Sequence, residues 1–473
     1  MVFSSVVFIF CFLPITLAGY FLFRPIKWKN IWLLIASLFF YFWGGYTFLP
    51  VILYSIALNY AGGYVLEIPK LSERERLRKG IFISILVLNL LNLGYWKYTK
   101  FIMQTFCDLT GLRFAIPDII LPIGISFFTF QGMSYIIDVY RKDVPAQKNI
   151  LNLGLYIALF PQLIAGPIVR YSDIKTQLNE RCHSIDEFAM GIRTFTIGLA
   201  KKAILANSAA ITADAILELP PYQNEPAVAW LGLIFYSLQL YFDFSGYSDM
   251  AVGIGRMFGF QFPRNFNYPY VSCSISDLWR RWHISLSVWF RDYVYIPLGG
   301  NRKGNVYLHL LCVFFLTGVW HGASWNVVLW GIYWGILVII EKIILQKIKH
   351  PLKIPKIISW MLIMFLWLLS MTIFRTNSVS ACLQYFQAMF GLAPRENIGF
   401  SLSYYIHRYE LFILATGIIA MTPLGKYCYC GLKKKISENA FLILENAVTI
   451  MLLGISILYV VTGTYNPFIY FQF

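Results

Sequence analysis

The residue best suited to chemistry in this sequence is a histidine, His321, which lies in the segment LTGVWHGASW between two uncharged apolar runs. Its small neighbours leave space beside the ring, while Trp320 and Trp325 can form the walls of a pocket. Imidazole accepts and returns a proton near neutral pH, which is what general-base catalysis requires. The residues alone favour this role and that of a hydrogen-bonded core histidine about equally.

A second histidine lies upstream in the segment SISDLWRRWHISLSVWFRDY, residues 274–293. Its apolar residues recur at spacings of three and four, so we predict one amphipathic helix with Arg280 and Arg291 on another face and Ser274 or Asp277 as the N-cap. The recurring residues are Trp279, Trp282, His283, Leu286 and Phe290. An interfacial or partly re-entrant helix fits this pattern, and so does a membrane-surface helix whose basic residues meet anionic lipid.

A third polar group lies in the aromatic stretch YFDFSGYSD, residues 241–249, which contains Asp243 and Asp249. Ionisable residues inside membrane segments cost several kcal/mol unless they are paired or hydrated, so they mark either a functional site or a structural pair. In the structural interpretation, each acid caps a helix or pairs with a nearby arginine such as Arg256 or Arg264.

The composition shows what kind of protein positions these groups. Of the 473 residues, 58% are hydrophobic and only 13% are charged, and the mean hydropathy is +0.62. Soluble proteins carry about 25% charged residues. The chain is therefore an all-α polytopic membrane protein, and a soluble enzyme, a disordered protein and a disulfide scaffold are excluded.

The net charge of +16 does not indicate nucleic acid, because the basic residues form short clusters between apolar runs. Such clusters act as topology signals. The uncharged N-terminal segment predicts an uncleaved first helix whose N-terminus lies outside, with a cleaved signal near Ala18 as the alternative. A basic loop between Lys70 and Lys79 then lies in the cytoplasm, and so does a cluster between Lys342 and Lys356.

Spans and breaks can be placed along the chain. The uncharged run 31–66 is too long for one crossing and divides at Gly44 and Gly45. Pro161, Gly166 and Pro167 predict a re-entrant piece. About twelve crossings result, with an uncertainty of about two, and both termini are predicted outside the cytoplasm. We divide the chain into N-terminal helices (1–118), a catalytic core (119–341) and C-terminal helices (342–473).

The remaining histidines and cysteines give no metal signature. The eight cysteines are scattered without CxxC pairs or histidines at ligand spacing, so we expect no metal site and no disulfide framework. Cys428 and Cys430 lie beside a basic run, where acylation at the cytoplasmic surface is an alternative to inert packing. His183, in the polar excursion 171–188, is interpreted as a solvated side chain.

Four segments together resemble the membrane-bound O-acyltransferase family, in particular its bacterial branch that modifies exported polymers such as alginate. They are FPQLIAGPIVR (160–170), YFDFSGYSDMAVGIGRMFGF (241–260), WRRWHISLSVWFRDYVYIPLGG (279–300) and LTGVWHGASWNVVLWG (316–331). The order and length of these motifs make the resemblance specific, and it covers residues 121–340 strongly. The chain ending YFQF, 470–473, also suits that branch.

The resemblance implies a ring of tilted helices, with re-entrant and interfacial pieces, around a thinned catalytic core. His321 matches the family's catalytic histidine, and His283 matches its second site position. Neighbouring side chains in the matched segments are expected to line the substrate site or tunnel: Trp279, Arg280, Arg281, Trp282, Arg291, Asp292, Trp320, Ser324, Trp325, Asp243 and Ser245.

The resemblance also implies the substrates, the partners and the location. The donor is acetyl-CoA or another acyl thioester on the cytoplasmic side of the cell (inner) membrane, and no cofactor is bound permanently. Expected partners are an extracytoplasmic SGNH-type acyltransferase or lipoprotein, the polysaccharide synthesis machinery, membrane lipids and an acyl carrier protein.

Two other functions remain open at the level of the sequence. Within the family, a D-alanyl transferase for teichoic acids takes its donor from a carrier-protein thioester. From another class, a polysaccharide transporter or flippase without acyl chemistry would also need many crossings. Transporters, however, commonly show paired repeats with breaks at corresponding positions, whereas the irregular segments here cluster in the middle of the chain.

Overall fold

The computed structural model describes residues 1–347, 354–393, 400–463 and 465–466. Within these ranges every regular element is helical, which confirms the predicted all-α class. Lys349 and Lys353 of the predicted basic loop and the ending 470–473 lie outside the described residues. Contacts divide the chain into two units, Met1–Phe195 with Ser248–Pro263, and Thr196–Tyr247 with Arg264–Phe473.

The described residues contain six helices that are long and apolar enough to cross a membrane, or seven if a bent pair counts as one span. The predicted count of about twelve is therefore not confirmed. Two further apolar helices, Phe8–Leu22 and Val306–His321, are shorter than an ordinary crossing. Continuous apolar runs in the sequence thus include helices that are too short or too interrupted to span a bilayer alone.

The first unit contains nine complete helices, the beginning of a tenth and the last turns of a later helix. The break predicted at Gly44 and Gly45 is confirmed, because one helix ends there and the next begins at Leu49. The helices are α1 (Leu13–Leu22), α2 (Ile26–Gly44), α3 (Leu49–Leu66), α4 (Pro69–Ser72), α5 (Glu75–Thr110), α6 (Ile125–Arg141), α7 (Ile150–Ala158), α8 (Phe160–Leu163), α9 (Tyr171–Ile174) and α10 (Ile185–Ala200).

Polar side chains inside this unit are paired with one another. The amide of Asn59 on α3 donates to Asn89 on α5 over 3.1 Å, and Asn89 donates back over 3.2 Å. Both residues are buried. Since unsatisfied amides are costly in apolar surroundings, this reciprocal pair fixes the contact between the two helices.

His183 is exposed, as predicted, but it also takes part in a local network. Its Nε2 lies 2.8 Å from the hydroxyl of Tyr20, which donates its own hydrogen to the carbonyl of Phe258 over 2.7 Å. The imidazole is therefore the donor in the first bond. Partial burial, followed by the charges of Lys29 and Arg181, lowers the pKa of His183.

The second unit takes the end of α10 and most of the remaining helices. Its members are α11 (Asn207–Leu217), α12 (Pro226–Met257, whose last turns belong to the first unit), α13 (Ile275–Arg281), α14 (Ile284–Phe290), α15 (Val306–His321), α16 (Trp325–Lys347), α17 (Lys356–Arg375), α18 (Val379–Met389), α19 (Leu402–Tyr405), α20 (Arg408–Ala420), α21 (Leu424–Lys435) and α22 (Glu438–Thr462). In the two units together, short 3-10 or π segments occur at Phe8–Phe12, Tyr46–Phe48, Lys201–Ala206, Pro221–Gln223, Pro269–Val271 and Arg291–Tyr295.

A close helix contact in this unit joins α15 and α16, and glycines make it possible. A Cβ at Gly331 would lie 2.4 Å from the carbonyl oxygen of Phe314 and 2.9 Å from the Cα of Gly318. Side-chain atoms do not approach backbone that closely, so the two helices touch through their main chains. This contact fixes the C-terminal end of α15, where His321 lies.

We predict that Gly331→Ala destabilises the protein, because the new methyl group must push two backbones apart. Overpacking of this kind costs about 1 to 3 kcal/mol. The thermal unfolding midpoint of the purified variant should fall by several degrees. Gly454→Ala in α22 is the matched control, since a Cβ there meets no described heavy atom within 4 Å and alanine favours the helix. Equal midpoints for the two variants would show that α15 and α16 do not need the glycine contact.

Candidate active site

His321 is the last residue of α15, and Gly322 then leaves the helical conformation. This confirms the predicted break between two apolar helices. The imidazole is 5% exposed. Three aromatic rings meet it edge to face, with centroid distances of 4.9 Å to Trp320, 5.1 Å to Trp330 and 5.8 Å to Phe374. The ring is thus held by aromatic packing in a position that loses most of its contact with solvent.

His283 does not lie in the middle of one amphipathic helix, so that prediction is wrong. The segment forms two short helices, α13 and α14, with Trp282 and His283 between them. His283 has φ of +43° and ψ of +55°, a left-handed conformation that is rare for residues other than glycine. The aromatic spacing of three and four occurs on both sides of a sharp turn rather than along one helix face.

The turn at His283 is held by the loop that precedes α13. The amide of Ile284 donates to the carbonyl of Asn265 over 2.9 Å, and the amide of Asn267 donates to the carbonyl of Arg281 over 3.0 Å. The Oδ1 atom of Asn265 lies 3.1 Å from Nδ1 of His283. The backbone groups that the break leaves without helical partners therefore bond to residues 265–267. Those residues lie outside the stretch 274–293, from which the helix was predicted.

The beginning of α13 is capped twice. The side chain of Ser274 accepts from the amide of Asp277 over 3.0 Å, which confirms one of the two predicted caps. Glu341 on α16 accepts from the amides of Ile275 and Ser276 over 2.7 and 2.9 Å, and also from the Ser276 hydroxyl. A carboxylate at a helix N-terminus satisfies orphan donors and complements the helix dipole. These bonds anchor α13 to the C-terminal half of α16.

His283 and His321 line the same cavity, which has a volume of about 320 Å³. His283 is 1% exposed and its ring is 4.6 Å from that of Phe244. Most of the cavity wall is aromatic or aliphatic. Polar side chains in the wall, besides the two imidazoles, are Ser276, Arg280, Ser287, Arg291, Tyr295 and Thr317. An apolar cavity with a few convergent polar groups is the usual form of a small-molecule site.

A second, much smaller cavity is also lined by His321. Its volume of about 10 Å³ is close to the minimum that holds one water molecule. Trp282 and His321 line both cavities. The other walls are Leu240, Trp330, Trp367, Met371 and Phe374.

The structure divides the candidate site residues into two groups. Trp279, Arg280, Trp282 and Arg291 line the large cavity together with the two histidines. In the part of the chain that the structure describes, neither cavity wall includes the other candidates: Arg281, Asp292, Trp320, Ser324, Trp325, Asp243 and Ser245.

Several candidates outside the cavity walls have contacts of another kind. Arg281 pairs with Asp277 over 2.9 Å, and Asp292 pairs with Arg291 over 2.7 Å. Trp320 does not line the cavity but lies edge to face against both His283 and His321, at 5.9 and 4.9 Å.

Asp243, which lies on α12, forms a buried ion pair with Lys202. Its carboxylate lies 2.7 Å from the ammonium of Lys202, and each side chain is 3% exposed. The partner is thus a lysine and not an arginine such as Arg256 or Arg264, the residues that the structural interpretation of the sequence proposes. The pair neutralises both charges inside the protein, and it fixes the helix turn that carries Phe244, the ring beside His283.

Sequence reasoning missed four contributors to the site. Asn265 and Phe244 contact His283, Trp330 contacts His321, and Glu341 anchors α13. Trp330 and Phe244 fall within the segments that carried the family resemblance. No local signal identifies Asn265 or Glu341, because each acts on residues far along the chain.

Comparison with known proteins decides the family. The model of the membrane-bound O-acyltransferase family matches residues 145–383, a range that contains both histidines and every other candidate site residue. The chain belongs to the membrane-bound O-acyltransferase family.

Relatives of this acyltransferase are named for reactions on cell-envelope or extracellular polymers. A probable alginate O-acetylase of Pseudomonas aeruginosa is 42% identical over 401 residues, 82% of this chain and 75% of the relative. A peptidoglycan O-acetyltransferase of Helicobacter pylori is 32% identical over 519 aligned positions, covering 100% of this chain and 98% of the relative. A teichoic acid D-alanyltransferase of Bacillus subtilis is 33% identical over 229 residues, 46% of this chain and 57% of the relative.

We predict that Asp243→Asn destabilises this acyltransferase strongly, because it leaves the ammonium of Lys202 buried without its carboxylate. Breaking a buried pair costs about 3 to 5 kcal/mol. The measurement is the thermal midpoint and the folded yield in detergent. Asp118→Asn is the matched control, since Asp118 pairs with Lys100 at 3.1 Å on the exposed surface and should give no measurable change. A stable Asp243→Asn variant that has lost activity would instead place Asp243 in the chemistry.

Proposed function

We propose that this enzyme takes an acetyl group from a thioester on the cytoplasmic side of the cell membrane and passes it outward for the O-acetylation of an exported polysaccharide. The observation that carries the proposal is the shared cavity of His283 and His321. Its largely apolar wall suits the methyl end of an acetyl thioester, and its basic residues Arg280 and Arg291 suit the phosphates of coenzyme A.

His321 is the proposed general base. It removes the proton from an acceptor hydroxyl while the hydroxyl oxygen attacks the thioester carbonyl carbon. The new carbon–oxygen bond forms, the carbon–sulfur bond breaks, and the proton passes from the imidazole to the departing thiolate. The products are an acetyl ester and a free thiol, and no metal or bound cofactor takes part in the step.

The contacts of α13 support entry of the donor from the cytoplasmic side. Glu341 anchors the Ser276 end of the cavity, and the next residue, Lys342, bonds Asn301 over 2.7 Å. Asn301 also accepts from Tyr295, a cavity residue, over 2.8 Å. This end of the cavity therefore adjoins the basic cluster that is predicted from the sequence to be cytoplasmic.

The names of the relatives favour acetyl transfer to a polysaccharide. Those that align with most of the chain are named for O-acetylation of alginate or of peptidoglycan. The D-alanyl alternative rests on relatives that align with less than half of it. Transport without chemistry is set aside, because the chain belongs to an acyltransferase family.

Delivery to the polymer through a partner is proposed because the resemblance to the polymer-modifying branch of the family implies it. We propose that an extracytoplasmic SGNH-type transferase or lipoprotein receives the acetyl group and completes its transfer to the polymer. The polysaccharide synthesis machinery, membrane lipids and, for a carrier-bound donor, an acyl carrier protein are the other proposed partners.

We predict that His321→Ala lowers acetyl transfer by about two to four orders of magnitude, because the general base is lost. The measurement is transfer of radiolabelled acetyl groups by purified protein in lipid. The unfolding midpoint of the same preparation serves as the control for folding. Wild-type transfer by a folded variant would refute the assignment, and failure of the variant to fold would give His321 a structural role.

We also predict that the reaction crosses the membrane. In sealed vesicles, labelled acetyl-CoA should support transfer only when it faces the basic loop between Lys70 and Lys79, because coenzyme A is too anionic to cross a bilayer. Limited trypsin cleavage in that loop reports which way the protein is oriented. Transfer at the same rate with donor and acceptor both on the opposite face would rule out the cross-membrane mechanism.

A further inference from the structure

Three groups converge on one side-chain oxygen beside the second histidine. The Oδ1 atom of Asn265 lies 3.1 Å from Nδ1 of His283, 3.2 Å from the amide nitrogen of Ser285 and 2.9 Å from the Ser285 hydroxyl. Asn265 is 2% exposed, so these contacts form away from solvent. Their geometry determines which way the asparagine amide faces and, through it, where a proton lies on His283.

The orientation of the amide follows from the backbone. The N–H of Ser285 can only donate, so the asparagine atom that faces it must be the oxygen and not the NH2 group. That oxygen can only accept. The His283 nitrogen that lies 3.1 Å from it is therefore the donor, which means that Nδ1 carries a hydrogen.

We infer that Asn265 is a positioning residue that holds His283 in the Nδ1–H tautomer, so that Nε2 carries the lone pair. The inference rests on the proposed function and deepens it, because it decides what His283 does in the shared cavity. A neutral imidazole of this tautomer accepts a hydrogen bond at Nε2 and cannot donate one there. Since the acceptor hydroxyl gives its one hydrogen to the proposed base His321, His283 accepts at Nε2 from His321, and it does not polarise the thioester carbonyl by donation.

The acceptor at this position is the neutral oxygen of an amide. Within the described residues, the Nδ2 group of Asn265 is buried and has no hydrogen-bond partner. Burying an unsatisfied donor is costly, so the amide is kept for its oxygen alone. An aspartate would offer the same acceptor, but its charge would favour a second proton on the imidazole and remove the lone pair from Nε2.

The turn itself does not depend on this side chain alone. The carbonyl of Asn265 accepts from the amide of Ile284 over 2.9 Å, and the amide of Asn267 donates to Arg281 over 3.0 Å. Both bonds use main-chain atoms, which every substitution at position 265 retains. A variant can therefore lose the control of the tautomer while the loop keeps its main-chain support.

The test is nitrogen-15 NMR of the full-length protein in lipid, with labelled histidine. The chain contains six histidines, and the missing signal in His283→Gln assigns the relevant ring. Wild-type His283 should show a protonated Nδ1 and an unprotonated Nε2. In Asn265→Ala the ring should populate both tautomers, whereas Ser285→Ala, which removes a different donor to the same oxygen, should leave the wild-type pattern unchanged.

Asn265→Asp is a second test, in which the new side chain has nearly the same size as asparagine and leaves no cavity at position 265. It retains the acceptor, so Nδ1 should stay protonated, and the carboxylate should add molecules in which both ring nitrogens are protonated. A wild-type ring protonated at Nε2, or an Asn265→Ala ring that keeps the wild-type tautomer, would overturn the inference.

Catalysis provides the functional readout. Asn265→Ala should lower kcat by about 10- to 100-fold, as loss of a partner that orients an imidazole does in other sites, with little change in the KM of the thioester. An unchanged kcat in a variant whose tautomer has changed would show that His283 does not act through Nε2. The NMR result is obtained without substrate, so absence of acetyl transfer by the wild type would refute the proposed function while leaving the tautomer assignment intact.

Discussion

The site depends on one constraint: main-chain groups that leave a helix inside an apolar protein must find partners in the protein itself. Between α13 and α14 the chain turns through a left-handed residue, His283, and releases amides and carbonyls that a continuous helix would have paired. Residues 265–267 supply those partners. The turn is therefore a feature of two segments acting together, and it exists only because a loop lies against it.

The other histidine is positioned by a different kind of contact. His321 ends a helix whose backbone touches that of α16 at Gly318 and Gly331. Main-chain contact leaves little freedom for sliding, since any shift meets carbonyl oxygens and not flexible side chains. Trp330, on the same helix as Gly331, packs against the imidazole at 5.1 Å. Helix packing thus places His321, whereas hydrogen bonding places His283.

How much of this could be predicted from the sequence depends on the distance over which each signal acts. The break at His321 and the Ser274 cap were predictable from local patterns. Small residues between two apolar runs indicate the break, and a serine just before a periodic apolar run indicates the N-cap. The turn at His283 was not, since its partner Asn265 lies 18 residues earlier and the aromatic spacing also fits a continuous helix.

The partner of Asp243 and the number of membrane-spanning helices were also not predictable from local patterns. The partner of Asp243 is Lys202, which is distant in sequence, and no periodic pattern connects the two. Hydropathy likewise measures how apolar a run is but not whether a helix continues through it. The described residues consequently contain fewer full-length apolar helices than the number of predicted crossings.

In the proposed reaction, the arrangement favours acyl transfer over hydrolysis of the thioester donor. A thioester reacts with water as well as with an acceptor hydroxyl, so an imidazole that activates nucleophiles must be kept from bulk solvent. His321 is 5% exposed and His283 is 1% exposed, and aromatic rings surround both. Both imidazoles also line the cavity of about 320 Å³, which the donor would fill in the proposed reaction. With that cavity occupied, the aromatic residues that orient the imidazoles also keep bulk water from the proposed base and the thioester.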